Sequence, residues 1–175
     1  LRMKGETVDE LAGFVTAMRE RALTIAAPDN AVDTCGTGGD GLHTFNISTA
    51  AAIVAAAAGV NVAKHGNRSV SSKCGSADVL QALGVNIHLT PQQAELCLQE
   101  TGLTFLFAPI HHASMKHAAV PRKEIGIRTA FNVLGPMSNP ANTRRQVIGS
   151  FSRETAAKMV RVLQKIGRAS CRERV

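Results

Sequence analysis

Three segments combine residue types suited to holding phosphate. Gly36-Thr37-Gly38-Gly39-Asp40 places three glycines within four positions, so its backbone can take positive φ and turn N–H groups into a concave anion nest. Asp40 beside such a nest would repel a bare phosphate unless it meets a sugar hydroxyl, a metal-bound water or a cation, which points to a phosphosugar. A tight turn accounts for the same five residues equally well, so their neighbours must decide. Asn46-Ile47-Ser48-Thr49 sets small polar side chains where an Ala-rich helix begins, and helix N-termini hold anions through free N–H groups and a partial positive charge. The third segment, Lys64 through Asp78, carries three cations, four serines and two glycines in fifteen residues. Its serines run towards a helix N-terminus at Ser76, so charge and N–H donors can meet on one polyanion.

Secondary structure must bring these segments together. Thr7-Val8-Asp9-Glu10 is a capping box, and Leu11, Val15, Met18 and Ala22 at helical spacing predict a helix to about Thr24. Ala27-Pro28-Asp29-Asn30 reads as a linker. Strands are expected at Ala31 to Thr34, Val60 to Ala63, Val85 to Leu89, Leu103 to Phe107 and Val147 to Phe151. Between them lie a helix opened by Ser48 or Thr49 and closed by Gly59, one from an N-cap at Ser76 to Leu83, and one from Thr90-Pro91-Gln92-Gln93 to about Glu100. The longest apolar run, Ala50 to Val60, reads as a buried helix, too short for a bilayer span. His111 to Val133 looks helical, turns follow at Gly135-Pro136 and Asn139-Pro140, and a last amphipathic helix starts at Ser152. Residues 167 to 175 have no periodicity. Alternating strands and helices imply an α/β fold with a mostly parallel sheet, whose ligands sit beyond the carboxyl ends of the strands. The Gly-rich loop and the Lys64 loop both follow strands, so they should converge on one cleft.

The 175 residues fit one domain, or one with part of a second; 45% are hydrophobic and 19% charged, as in a globular chain. Four scattered cysteines without a CxxC pair argue against a disulfide framework or zinc knuckle, and fit a reducing cytoplasm. The charged N-terminal stretch has no signal-peptide core, and a start at Leu1 points to a missing beginning. The net charge of +7 is uneven: residues 1 to 152 hold 13 Lys and Arg against 11 Asp and Glu, residues 153 to 175 hold 7 against 2. With no Trp or Tyr to stack on bases, a nucleic-acid partner is not favoured.

The three segments, together with Arg122-Lys123-Glu124-Ile125-Gly126-Ile127-Arg128-Thr129 and Asn132-Val133-Leu134-Gly135-Pro136, resemble the anthranilate phosphoribosyltransferases from about Thr7 to Ile166. That resemblance implies a nucleoside phosphorylase/phosphoribosyltransferase type of α/β domain with a small helical domain. Residues 1–27 would be a remnant of the helical domain, 28–166 the phosphoribosyl-pyrophosphate-binding domain, about 112–135 a return to the helical part, and 167–175 an unassigned tail. It implies further helices before Leu1, an Asp-Glu pair for a second magnesium beyond Ile166, and a homodimer. Gly36, Gly39, Asp40, Thr44, Asn46, Ser48, Thr49, Lys64, Asn67, Arg68, Ser71, Ser72 and Ser76 would contact phosphoribosyl pyrophosphate, with Ser48 also a Mg2+ ligand. Gly36, His65, Asn67 and Arg122 would line the anthranilate site.

The implied activity is a pentosyl transfer in tryptophan biosynthesis. The amine of anthranilate displaces pyrophosphate from C1 of the ribose, with Mg2+, Lys64 and Arg68 neutralising the leaving group and no side chain acting as nucleophile. Alternatives are a pyrimidine nucleoside phosphorylase, a non-enzymatic nucleic-acid-binding relative of the same fold, and an inactive fragment. His111, His112 and His117 fall at spacings that put no two one turn apart on a helix face, so they read as helix-surface polarity with His112 bordering the acceptor site. Cys35 and Cys74 read as packing residues, and Arg128 as an ion-pair partner.

Overall fold

The computed structural model describes residues 3–38, 45–69, 74–127 and 129–167, with backbone only at Ala119, Arg122 and Lys123. Four strands, β1 (Val32–Gly36), β2 (Val62–Gly66), β3 (Leu103–Phe107) and β4 (Arg145–Gly149), form one sheet in the order β3-β2-β1-β4. Every neighbouring pair is parallel, so each connection must cross over and all loops that follow strands emerge at one edge. The helices are α1 (Val8–Glu20), α2 (Ile47–Ala57), α3 (Ser76–Ala82), α4 (Pro91–Thr101), α5 (Ala108–His111), α6 (Lys116–Ile125), α7 (Phe131–Leu134) and α8 (Arg153–Lys165).

Register and the two-residue period of a strand sort the side chains. Thr34, Lys64, Phe105 and Phe107 share one face, and Asp33, Cys35, His65, Leu106, Gln146 and Ile148 the other. On the first face Phe105 and Phe107 pack with Ala77, Leu80 and Ile87. On the second, Ala63 and Leu106 pack with Ala94, Leu98, Ile25 and Ala141. A separate helical core joins Leu11 and Val15 of α1 to Leu134, Met137 and Val162. Arg19 of α1 ties this core to the turn before β4 by donating from Nε and a terminal nitrogen to the Met137 carbonyl.

Both capping boxes form as expected. Thr7 Oγ1 accepts from Glu10 N at 3.1 Å and Glu10 accepts from Thr7 N, while Thr90 and Gln93 exchange the same pair of bonds. Ser152 caps α8 as expected, accepting from Thr155 N at 3.1 Å, but two helix starts shift: α2 is preceded by Asn46 and α3 by Gly75, not by Ser48, Thr49 or Ser76. No strand forms at residues 85–89. Ile87 is buried as the alternation implied, but Asn86 Oδ1 accepts from His88 N at 2.9 Å, an Asx turn that bends the chain out of a ladder. Nor is the Ala-rich helix buried. Only Thr49 and Ala52 of α2 are, with Ile53 42% and Val54 68% exposed, because the sheet covers one narrow stripe of it. The expected single helix over 111–133 is broken where His112 leaves helical geometry (φ −117°, ψ 58°) and again where Gly126 takes φ 64°. Among the described residues no helix is long and apolar enough to cross a membrane.

Candidate functional site

The glycine loop leaves β1 at Gly36, and Gly38 takes φ +64°, a conformation that glycine adopts without the steric cost a Cβ would bring. Thr37 N donates to the Gly149 carbonyl at 2.9 Å and Thr37 Oγ1 accepts from Phe151 N at 3.2 Å, so β4 pins the start of the loop. Gly39, Asp40 and Thr44 lie outside the described residues. The chain re-enters at Asn46 ahead of α2, whose first turn is docked on β1 by Thr34 Oγ1 donating to the Ser48 carbonyl at 2.8 Å. Ser48 and Thr49 are thereby held beside the strand that launches the glycine loop.

Lys64 does not leave a strand, as expected from sequence, but sits within β2. It is 3% exposed, and its Nζ donates to the Thr34 carbonyl at 2.5 Å. Burial pushes its pKa down, and the charges of Asp33 and Cys35 push it back up. Thr49 and Lys64 line one cavity of about 410 Å³ with Ala52, Leu80 and Phe105. This places Thr49 of one loop-helix unit next to Lys64 of the other.

The loop after β2 is folded on itself by the carboxylate of Asp78. It accepts from Ser69 N at 3.1 Å, Gly75 N at 2.8 Å and Arg68 Nη1 at 2.9 Å, and the two backbone N–H groups do most to hold it below its usual pKa. The Asn67 carbonyl accepts from Ser76 Oγ and Ala77 N, and Arg68 also donates to Gln81 at 2.6 Å. Arg68 thus stands at the cleft already paired, on the rim above Phe107. Ser71 and Ser72 fall outside the described residues, as do the side chain of Arg122 and all of Arg128.

His65 points to the opposite face, into a buried pocket where its ring meets His112 edge-to-face at 5.1 Å. His111 and His112 are 1% and 3% exposed, which corrects the surface reading of both; His111 Nδ1 lies 2.6 Å from the Leu23 carbonyl. Burial, then His112 and His111, depress the His65 pKa to about 3. Cys35 is buried with its thiol pushed well up by burial, whereas Cys74 is exposed and is no packing residue. Among the described residues no cluster of three His, Cys, Asp or Glu could by itself hold a metal. Three residues of this region escaped the sequence reading: Asp33, Asn139 and Gln146, of which only a carboxylate inside the strand sequence Val32-Asp33-Thr34-Cys35 offered a signal.

The histidine pocket has a measurable consequence. Because the unfolded ring titrates near 6.5 and the folded one near 3, the unfolded chain takes the proton first, and His65 costs stability as pH falls below 6.5. The His65 ring resonances should therefore stay at their neutral-imidazole positions between pH 8 and 5 in NMR; a midpoint near 6 would mean the ring is solvated.

Two family models match the chain: the glycosyl transferase family a/b domain over residues 28–171, and the helical bundle domain of that family over residues 1–22. The anthranilate phosphoribosyltransferase of Bacillus caldotenax is 60% identical over 167 residues, 95% of this chain and 69% of its own length. The crystal structure of the Thermus thermophilus enzyme of that name superposes with a TM-score of 0.89 at 47% identity, covering 95% of this chain and 51% of that one. The Saccharomyces cerevisiae enzyme in complex with PRPP and Mg gives 0.84 at 31% identity, covering 91% of this chain and 45% of the other. The same yeast enzyme with 4-fluoroanthranilate gives 0.78 at 30%, covering 91% and 43%. The chain thus spans about half the length of these solved relatives.

Proposed function

Since the chain belongs to the anthranilate phosphoribosyltransferase family within the larger glycosyl transferase family, we propose that it carries the phosphoribosyl-pyrophosphate-binding half of such an enzyme. The activity is transfer of the 5-phosphoribosyl group to the amine of anthranilate with release of pyrophosphate. One observation carries the reading: the loops that begin at Gly36 and at Asn67 leave adjacent parallel strands at the same sheet edge, and the buried Lys64 ammonium of one strand is held on the Thr34 carbonyl of the other. The yeast complex with PRPP and Mg supports it by kinship.

In this reading Gly36, Gly39, Asp40, Thr44, Asn46, Ser48 and Thr49 hold the ribose and phosphate from one side. Lys64, Asn67, Arg68, Ser71, Ser72 and Ser76 hold them from the other. Gly36, His65, Asn67 and Arg122 border the acceptor. A guanidinium at Arg122 suits the anthranilate carboxylate, and the neutral imidazole of His65 neither repels nor protonates an arylamine. Lys64 faces the developing charge on the leaving group from a dry site, where electrostatic stabilisation is strongest. Arg68 reaches the same anion only by giving up Asp78 or sharing it.

The residues present fit magnesium. Ser48 offers a hard oxygen placed by the bond from Thr34 to its carbonyl, and Mg2+ is usually held by one or two protein oxygens plus substrate phosphates, not by a protein cage. When bound it neutralises part of the pyrophosphate charge. We further infer that residues 1–27 belong to a helical domain and 28–166 to the α/β domain, with about 112–135 returning to the helices and 167–175 unassigned. Packing of Leu11 and Val15 of α1 with Leu134 of α7 supports the return of the second segment to the helices. A cytoplasmic homodimer engaging neither membrane nor nucleic acid completes the proposal.

Calorimetry of this chain with phosphoribosyl pyrophosphate and Mg2+ tests the reading. Saturable heat that disappears without magnesium is expected, and in a chain extended to relatives' length anthranilate fluorescence should fall with time. Heat with inorganic phosphate and a pyrimidine nucleoside, and none with phosphoribosyl pyrophosphate, would make it a nucleoside phosphorylase.

A further inference from the structure

Asp33 is the most deeply buried carboxylate among the described residues, with 0% exposure in the middle of β1, and the transfer chemistry above gives it no part. An ionised carboxylate in a protein interior costs several kcal/mol unless donors surround it. Here donors do. Oδ1 accepts from the main-chain N–H of His65 at 3.1 Å, Oδ2 accepts from Gln146 Nε2 at 3.0 Å, and Asn139 also hydrogen-bonds the group. Gln146 Nε2 donates to the Pro136 carbonyl at 3.1 Å and Asn139 Nδ2 to the Ala63 carbonyl at 2.9 Å, which fixes both amides with their NH2 groups turned inward. Burial pushes the Asp33 pKa up, and these three donors together with the Lys64 charge pull it back down.

The location matters more than the burial. β1 pairs with β4, and β2 with β3, over five registered residues, whereas β1 and β2 are registered only at Val32↔Val62. Past that point the strands are joined by side chains: the Thr34 carbonyl of β1 takes Lys64 Nζ, and the His65 N–H of β2 takes Asp33. The peptide between Lys64 and His65 is therefore tied to β1 through its N–H, and the Lys64 side chain is tied to the same strand through its ammonium.

We propose that Asp33 is a positioning residue of this site: its carboxylate, reaching across from β1, fixes the Lys64–His65 peptide, and thereby aims Lys64 at the phosphate-facing side of the sheet and His65 at the acceptor side. The proposal rests on the functional reading above for what the two side chains do, but the clamp itself is a property of the ligand-free chain. Its charge also acts on Lys64. The titratable neighbours of Lys64 are Asp33 and Cys35 of β1 and His65 beside it. β3 and α2 carry none, α3 offers Asp78, already paired with Arg68, the segment before α4 His88, and α4 Cys97 on the far side of the same cavity.

The test is Asp33→Asn in the full chain, which keeps the shape but turns a donor towards Gln146 and Asn139. Hydrogen exchange at the His65 amide should quicken at least tenfold, and the Lys64 ammonium resonance should titrate at lower pH than in the parent, because the Asp33 charge that raises it is gone. Affinity for phosphoribosyl pyrophosphate with Mg2+ should fall about tenfold at pH 7 and further at pH 9 than in the parent. A merely structural residue would lower affinity equally at both pH values and leave the Lys64 midpoint in place, and that result overturns the proposal. So does unchanged exchange at His65. If the parent itself binds no phosphoribosyl pyrophosphate, the functional reading fails while the two resonance measurements still decide the clamp. If Asp33→Asn does not fold, Gln146→Leu, which frees one carboxylate oxygen from β4, decides: faster His65 exchange supports the clamp and unchanged exchange refutes it.

Discussion

Lys64→Met should weaken phosphoribosyl pyrophosphate binding by about 10- to 100-fold in calorimetry, corresponding to the roughly 1.5–3 kcal/mol that a hydrogen bond to a charged group contributes. Methionine keeps the unbranched stem that packs in a side chain only 3% exposed. It removes a buried ammonium, which relieves desolvation, and leaves the Thr34 carbonyl without its partner; the two effects oppose one another, so the melting temperature should move by no more than a few degrees. Binding and stability are thus separated in one substitution. Lys64→Arg should not rescue binding, because a planar forked guanidinium cannot take the place of the compact ammonium that donates to the Thr34 carbonyl. Parental affinity in Lys64→Met would remove this residue from the phosphate site and, with it, the reason for placing the ligand between the two loops.

Much of what frames that experiment is legible along the chain, and what is not follows a pattern. The boxes at Thr7 and Thr90 involve residues three apart, so sequence contains both partners. β3 is found at its true bounds, Leu103–Phe107, because a run of apolar and β-branched residues follows a left-handed Gly102 that stops α4. β2 is placed two to three residues early, since Lys64 and His65 look like loop residues until their cross-strand partners are known. The same cause hides Asp33, Gln146 and Asn139: each makes a bond to a residue from 32 to 113 positions away. By helix spacing the histidines at 111 and 112 look like surface residues, yet a break at His112 turns them into the wall of a pocket. Local rules locate the loops; which polar groups lie buried between them depends on strand order, and strand order is a long-range fact.

Gly75→Ala should both destabilise the chain and open the basic loop. A Cβ at this position would stand against Ser69 N and within 2.7 Å of Arg68 C and 2.8 Å of Asn67 O, all backbone atoms that cannot swing aside. The loop must therefore move off α3, which threatens the bonds that close it: Ser69 N and Gly75 N to Asp78, and Ala77 N to the Asn67 carbonyl. Overpacking of this kind typically costs about 1–3 kcal/mol, which in a chain of this size is a drop of about 2–12 °C in melting temperature. Because Asn67, Arg68 and Ser76 hang on those bonds, affinity for phosphoribosyl pyrophosphate should fall by more than the roughly tenfold of one lost contact. Gly38→Ala provides the contrast. Among the described residues nothing lies within 4 Å of a Cβ there, and the φ of +64° is what opposes it, so about 1–2 kcal/mol is at stake without displacing a described segment. If Gly75→Ala melts and binds like the parent, the close approach of Asn67–Ser69 to the start of α3 does not shape the cradle, and the phosphate must be gripped from the glycine loop alone.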